Sequence, residues 1–116
     1  MNATVVLILS SAAAAALGQD APWRAEPSKT VVFVCEHGNV KSLIAREWFN
    51  RLAAERGLEL RAESRGVTPE SSVPPAIAEA LRGDGFDVSA FEPRGFSAAD
   101  ASRGIRVVGI GVDLSV

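Results

Sequence analysis

Residues 30–42 read Thr30-Val31-Val32-Phe33-Val34-Cys35-Glu36-His37-Gly38-Asn39-Val40-Lys41-Ser42, and this stretch decides the fold. Its first six residues are β-branched, aromatic or sulfur-bearing and show no polar alternation, which predicts a central parallel strand buried on both faces. Residues 36–39 form a loop-forming cluster that ends the strand. Apolar residues then recur at helical spacing, so a helix is predicted from about Ser42 to Arg56.

The rest of the chain alternates strands with helices. Gly57 is suited to cap the first helix, and residues 58–64 alternate as an edge strand does. A second helix is predicted from Pro75 to Gly83. The spacing of Ser97 and Asp100 predicts a capping box that opens a short third helix, and residues 105–110 are a second buried strand. This order predicts an α/β fold with a parallel sheet and right-handed crossovers.

The loop after the first strand is predicted to bind a tetrahedral oxyanion. It lies at the carboxyl end of a strand, where α/β sheets bind ligands, and its backbone N–H groups and the following helix N-terminus form an anion nest. The same field favours a thiolate at Cys35, and Ser42 is placed to donate a hydrogen bond to that thiolate. Gly38 and Asn39 are the residue types that most readily take left-handed backbone angles. The alternative for Cys35 is a small buried apolar side chain that ends a strand.

The segment Val32 to Ser42 resembles the signature of the low-molecular-weight tyrosine phosphatases and thioredoxin-coupled arsenate reductases, a hydrophobic strand followed by Cys-x5-Arg-Ser and a helix. Further similar segments are 63–66, 75–89, 96–100 and 107–113, so the resemblance spans residues 30 to 113. It implies a three-layer α/β sandwich with a small parallel sheet, phosphotyrosine protein phosphatase I-like and short at the C-terminus. It also implies that Cys35, Lys41 and Ser42 are catalytic and that the intervening residues bind the oxyanion. These intervening residues are Glu36, His37, Gly38, Asn39 and Val40.

The sequence departs from this family at three places that matter for chemistry. Lys41 replaces the family arginine, so a point charge stands where a planar fork grips two oxygens. The resemblance places the general acid of family phosphatases, an aspartate usually followed by proline, in a loop beyond the last strand seen here, and no Asp-Pro pair occurs in the sequence. Asp113 is the one substitute to suggest, the alternative being an ordinary solvated turn carboxylate. Cys35 is the single cysteine, so the disulfide relay of the arsenate reductases has no second thiol here.

Four other side chains near the loop or on the first helix also have predicted positions or roles. His37 either stabilises the thiolate as an imidazolium or is an exposed loop side chain that shapes access. Glu36 is expected to face solvent because it would repel an anion. Trp48 and Phe49 are expected in the core rather than at a ligand.

The N-terminal segment and the net charge of the chain predict where the protein is located and which partners it lacks. Thirteen of residues 1–18 are apolar and the first charged side chain is Asp20, which predicts a secretory signal over 1–18, a linker over 19–29 and the domain over 30–116. The mature protein is therefore expected to be exported, the alternatives being a misassigned start or a membrane anchor. A net charge of −2 with mixed signs argues against nucleic acid and anionic membranes as partners.

Three functions fit these observations. The first is a phosphomonoester hydrolase that works through a cysteinyl-phosphate intermediate. The second is an oxyanion-binding module with weak or no turnover, and the third is an arsenate reductase-like protein that uses an external thiol. A piece of a longer gene product is a further alternative. No cofactor and no metal are predicted, and the expected partner is a small oxyanion or phosphomonoester.

Overall fold

The computed structural model describes residues 29–115. The strands are Thr30–Cys35 (β1), Arg61–Gly66 (β2) and Arg106–Gly109 (β3), and the helices are Lys41–Glu55 (α1), Pro75–Gly83 (α2) and Ala98–Arg103 (α3). The three strands form a parallel sheet in the order β2-β1-β3. The predicted signal at 1–18 and nearly all of the predicted linker lie outside the described residues and stay predictions. No helix within 29–115 combines the length and apolar character needed to cross a membrane.

Helices cover both faces of the sheet. Phe33 of β1 meets Phe49 of α1 edge to face, with ring centroids 5.8 Å apart. Arg65 pairs in register with Val34 and therefore points to the opposite face, where its Nε lies 3.1 Å from Asp100 Oδ2 of α3. The predicted α/β sandwich of three layers, with a small parallel sheet in the middle, is confirmed.

A second cluster of apolar side chains fixes α2 beside α1. Leu43 of α1 is fully buried and packs with Leu81 of α2 and with Phe86 and Val88 of the following segment. Trp48 lies at the border of this cluster with 39% of its surface exposed, and its ring meets that of Phe86 at 5.1 Å. The prediction that both residues lie in the core therefore fits Phe49, which is half-buried, better than it fits Trp48.

The end of α1 sets the start of β2. Gly57 adopts φ 64°, and the N–H groups of Gly57 and Leu58 bond to the carbonyls of Ala54 and Ala53. This is the predicted glycine cap, in the form of a Schellman motif. Because Leu58 still belongs to the cap, the strand begins at Arg61 rather than at residue 58. It runs along an edge of the described sheet, as predicted.

The last strand differs from its prediction. β3 has exposed residues at both ends, Arg106 and Gly109, and its two valines are only half-buried. Within the described sheet, β1 alone has a neighbour on each side, so the prediction of a second buried strand is wrong for these residues. The capping box before α3 is confirmed, since Ser97 and Asp100 exchange both of its hydrogen bonds.

Candidate oxyanion site

Cys35 lies at the floor of an open cavity at the carboxyl edge of the sheet. Cys35 is 4% exposed, and the cavity above it measures about 270 Å³. The loop from β1 to α1 forms one side, and the end of β3 forms the other. The lining residues are Cys35, Glu36, His37, Asn39, Val40, Lys41, Ile110 and Gly111. The sulfur is thus buried without being sealed among apolar side chains.

Hydrogen-bond donors converge on this sulfur. Ser42 Oγ lies 3.0 Å from Cys35 Sγ, and the Ser42 backbone N–H donates to the same atom at 3.5 Å. Burial raises the pKa of Cys35 and is the largest single effect. The bonds from the Ser42 hydroxyl and from the backbone N–H groups of Ser42, Gly38 and Val40 together outweigh it, so the net pKa is lowered. The loop amides therefore turn inward and favour the thiolate.

A chain of hydroxyl groups supports this arrangement from behind. Ser42 Oγ lies 2.7 Å from Ser64 Oγ of β2, and the Ser64 hydroxyl lies 3.3 Å from the carbonyl oxygen of Gly38. Both serines are fully buried. The Ser64 hydroxyl donates to the Gly38 carbonyl, and because a thiolate only accepts, the Ser42 hydroxyl donates to the sulfur. Ser64 was not predicted as a site residue. The register of β2 against β1, which local sequence patterns do not determine, places Ser64 beneath Ser42.

Two facing glycines allow the loop to lie against the end of β2. Gly38 has φ 68°, and a Cβ built there would stand 2.7 Å from the backbone nitrogen of Gly66. A Cβ at Gly66 would stand 2.6 Å from the nitrogen of Gly38. Contacts this short exclude any side chain at either position, so the shape of the loop requires both glycines.

Asn39 anchors the loop through its side chain and not through its backbone. No residue other than glycine has a positive φ within 29–115, so the expected left-handed conformation occurs at Gly38 only. The buried Asn39 amide donates to Glu70 Oε2 at 3.1 Å and to the Ser72 carbonyl at 2.9 Å. These bonds tie the loop to the segment that follows β2.

His37 is half exposed at the rim of the cavity. Its Nδ1 lies 3.1 Å from the Thr68 carbonyl oxygen and 3.6 Å from Glu70 Oε1. Backbone bonds from Thr68 N–H to the Glu36 carbonyl and from Glu70 N–H to the His37 carbonyl hold the two segments together. The Glu36 side chain is exposed, as predicted.

Lys41 reaches across the cavity toward the end of β3. Its Nζ lies 3.2 Å from the point where a side chain on Gly111 would begin, and Gly111 has φ 67°. Lys41 is exposed, so its ammonium group stays hydrated at the mouth of the cavity. The absence of a side chain at Gly111 leaves room for this ammonium group.

Asp113 has partners of its own. Its Oδ1 accepts hydrogen bonds from the Ser115 hydroxyl at 2.6 Å and from the Ser115 backbone N–H at 2.9 Å. These two bonds lower the pKa of Asp113, which favours the carboxylate over the acid form. The carboxyl group does not line the cavity above Cys35. Its surroundings are those of the solvated turn residue named above as the alternative to an acid.

Comparisons with known proteins bear on the identity of this loop and fold. The model of the Low molecular weight phosphotyrosine protein phosphatase family matches residues 30–108. None of the curated proteins compared matches the chain. A mutant of YwlE from Bacillus subtilis shares the fold, with a TM-score of 0.64 and 21% identity over 69% of this chain and 55% of that one.

Two further solved structures are similar at 25% identity. A low molecular weight protein tyrosine phosphatase from T. tengcongensis has a TM-score of 0.64 and covers 69% of this chain and 56% of its own. The thioredoxin-dependent arsenate reductase Cg_ArsC1' from Corynebacterium glutamicum has a TM-score of 0.65, and the match covers 75% of this chain and 45% of that one. The chain therefore spans about half the length of the solved structures it matches.

Among residues 29–115, no three His, Cys, Asp or Glu side chains are grouped to hold a metal ion.

Proposed function

The chain belongs to the low molecular weight phosphotyrosine protein phosphatase family, and we propose that it hydrolyses phosphomonoesters through a cysteinyl-phosphate intermediate. One observation carries this proposal. The hydroxyl group of Ser42 and three loop amides point at the Cys35 sulfur, which lies at the floor of an open cavity. An ionised, accessible sulfur under an oxyanion nest has the properties of a nucleophile for phosphoryl transfer.

The reaction has two displacements at phosphorus. The Cys35 thiolate attacks in line, an S–P bond forms, and the bond from phosphorus to the ester oxygen breaks. Loop amides and the Lys41 ammonium stabilise the three equatorial oxygens. Water then attacks phosphorus, the S–P bond breaks, inorganic phosphate leaves and the thiolate returns. The Ser42 hydroxyl stabilises the sulfur anion as nucleophile in the first step and as leaving group in the second.

Hydrolysis is favoured over arsenate reduction by the cysteine content. The sequence has one cysteine, so a disulfide formed within the chain has no second partner. Reduction of arsenate would need an external thiol at each turnover. Phosphomonoester hydrolysis needs only water besides the groups already at the site.

Turnover of p-nitrophenyl phosphate tests the proposal, since this leaving group needs little help from an acid. We expect hydrolysis by the wild-type chain and its loss in Cys35→Ser. Ser102→Ala is a matched control because Ser102 is exposed on α3, away from the cavity, and it should keep full activity. Undiminished turnover in Cys35→Ser would refute the nucleophile. No turnover in wild type, together with a rise in Tm on adding inorganic phosphate, would identify a binding module instead.

A further inference from the structure

The carbonyl groups at the start of the loop between β1 and α1 are held by the segment of residues 67–72, called the brace below. The carbonyl oxygens of residues 35, 36 and 37 each accept a hydrogen bond from a backbone N–H group of the brace. The donors, in that order, are Val67 at 3.0 Å, Thr68 at 2.7 Å and Glu70 at 3.2 Å. The next carbonyl oxygen, that of Gly38, accepts from Ser64 Oγ of β2 at 3.3 Å.

These four bonds set the direction of the loop amides. In a trans peptide the carbonyl of one residue and the N–H group of the next point in opposite directions. Because the carbonyls of residues 35–38 are held by β2 and the brace, the N–H groups of residues 36–39 turn to the other side of the loop, toward the cavity. The N–H group of Gly38 shows this direction, since it donates to the Cys35 sulfur.

The side chain of Glu70 extends this hold to Asn39. Asn39 is 3% exposed, and its amide nitrogen donates to Glu70 Oε2 at 3.1 Å and to the Ser72 carbonyl at 2.9 Å. In the chain, Asn39 stands between Gly38 and Val40, whose N–H groups both donate to the Cys35 sulfur. A displacement of Asn39 therefore moves two of the donors that converge on the site.

The charge of Glu70 has the opposite effect on an anion. Its Oε1 lies 3.6 Å from Nδ1 of His37, a residue that lines the cavity, so the carboxylate is one side chain away from a bound oxyanion. A carboxylate at this place repels the oxyanion and by charge alone weakens its binding. Position and charge thus act with opposite signs, which allows an experiment to separate them.

We propose that Glu70 is a positioning residue of the oxyanion loop, which acts through the Asn39 amide to hold the N–H groups of residues 36–40 toward the cavity. Glu70 does not itself line the cavity, so it has no contact with the reacting atoms. Donors that are fixed before the ligand arrives need no rearrangement when an oxyanion enters. This inference rests on the proposed function and adds the residue that preorganises its anion site.

Calorimetric titration of the full chain with inorganic phosphate tests the role of Glu70. Glu70→Gln keeps an oxygen that accepts from Asn39 and removes the charge, whereas Glu70→Ala removes both. A hydrogen bond to a charged acceptor is worth about tenfold or more in an equilibrium constant, so we expect the Kd of Glu70→Ala to rise about tenfold. The Kd of Glu70→Gln should equal that of wild type or lie below it. Glu79→Ala, which removes an exposed carboxylate from α2, is the matched control and should change nothing.

The ionisation of Cys35 gives a second readout that a merely structural contact would not move. We expect the thiolate absorbance of Glu70→Ala to titrate at higher pH than that of wild type, because the Gly38 and Val40 donors are less well held. Loss of a negative charge alone would move the titration to lower pH. A variant with a lower Tm but with the Kd and titration midpoint of wild type would overturn the inference.

A double-mutant cycle with Asn39→Ala tests whether Glu70 acts through Asn39. In that background, Glu70→Ala should no longer raise the Kd for phosphate, because the contact it removes is already absent. An equal rise in both backgrounds would overturn the route through Asn39. A Kd for Glu70→Ala at or below that of wild type, or a Kd for Glu70→Gln as high as that of Glu70→Ala, would overturn the positioning role.

The outcomes distinguish this inference from the proposed hydrolysis. Phosphate binding and thiolate titration need no turnover, so a wild-type chain that binds phosphate without hydrolysing p-nitrophenyl phosphate refutes the hydrolase alone. Cys35-dependent hydrolysis with an unchanged Kd in Glu70→Ala refutes the positioning role alone. A wild-type chain that does not bind phosphate refutes both.

Discussion

Replacing Ser42 by alanine removes the one side-chain hydrogen bond that the described residues make to the Cys35 sulfur. The hydroxyl group stands 3.0 Å from Sγ in a fully buried position, so water has no room to take its place at the same distance. The backbone N–H groups of Gly38, Val40 and Ser42 still point at the sulfur in the variant. The Cys35 thiolate therefore loses part of its stabilisation, and the backbone donors keep the rest.

The size of the effect follows from the charge on the acceptor. A hydrogen bond to a charged group contributes about 1.5–3 kcal/mol, and about 1.4 kcal/mol is tenfold in an equilibrium constant. Because three backbone donors remain, we expect the lower end, a fall of about tenfold in the ratio of thiolate to thiol. The pKa of Cys35 rises, and turnover at acidic pH falls with the thiolate population.

Ultraviolet absorbance of the thiolate, followed during a pH titration, measures this ratio directly. The Ser42→Ala midpoint should move to higher pH than that of wild type. Ser64→Ala is the matched control, because it removes the partner of the Ser42 hydroxyl and leaves the bond to sulfur, so its shift should be smaller. A Ser42→Ala midpoint that coincides with wild type in a folded protein would refute the account of how the sulfur is ionised.

Three further predictions concern stability in urea. Gly38→Ala should lower the free energy of unfolding by about 1–3 kcal/mol or more, because the residue has φ 68° and its new Cβ would clash with the backbone of Gly66. Gly83→Ala is the control, since it has open space around it and should not lower the free energy of unfolding; equal effects of the two substitutions would contradict the close approach of Gly38 to Gly66. Asn50→Ala should cost about 1–3 kcal/mol because the Asn50 amide satisfies both backbone groups of Ala62 at the sheet edge, and an unchanged midpoint would show that water replaces it. The pKa of Cys35 is lowered in the folded protein, so its ionisation should stabilise wild type fully above the pKa of the unfolded thiol, and this stabilisation should be lost as pH falls through the folded pKa. Plots of the free energy of unfolding against pH that run parallel for wild type and Cys35→Ala would exclude this contribution.

The sequence was most informative where local rules and the fold agree. The unbroken apolar run before Cys35 predicts a strand with neighbours on both sides, and β1 is that strand. The spacing of Ser97 and Asp100 predicts a capping box that is present in full. Gly57 ends α1 through positive φ because a left-handed turn is a local requirement that glycine alone meets cheaply.

Features that depend on contacts between distant segments could not be predicted from the sequence. Asn39 suits a left-handed turn by type, yet its amide finds Glu70 and Ser72 more than 30 residues away and its backbone stays ordinary. Ser64 reads as one polar residue in an alternating strand, and only the register of β2 against β1 brings it under Ser42. Periodicity cannot separate a strand with two neighbours from an apolar edge strand, which explains the error at β3.

Amide chemical shifts during titration with inorganic phosphate test the central claim most directly, namely that the loop between β1 and α1 encloses a tetrahedral anion above an ionised sulfur. We expect large, saturable shifts confined to the backbone N–H groups of residues 36–42, with slower alkylation of Cys35 as phosphate saturates. Shifts scattered over the surface, or an unperturbed loop with Cys35 alkylated at the same rate at every phosphate concentration, would contradict it.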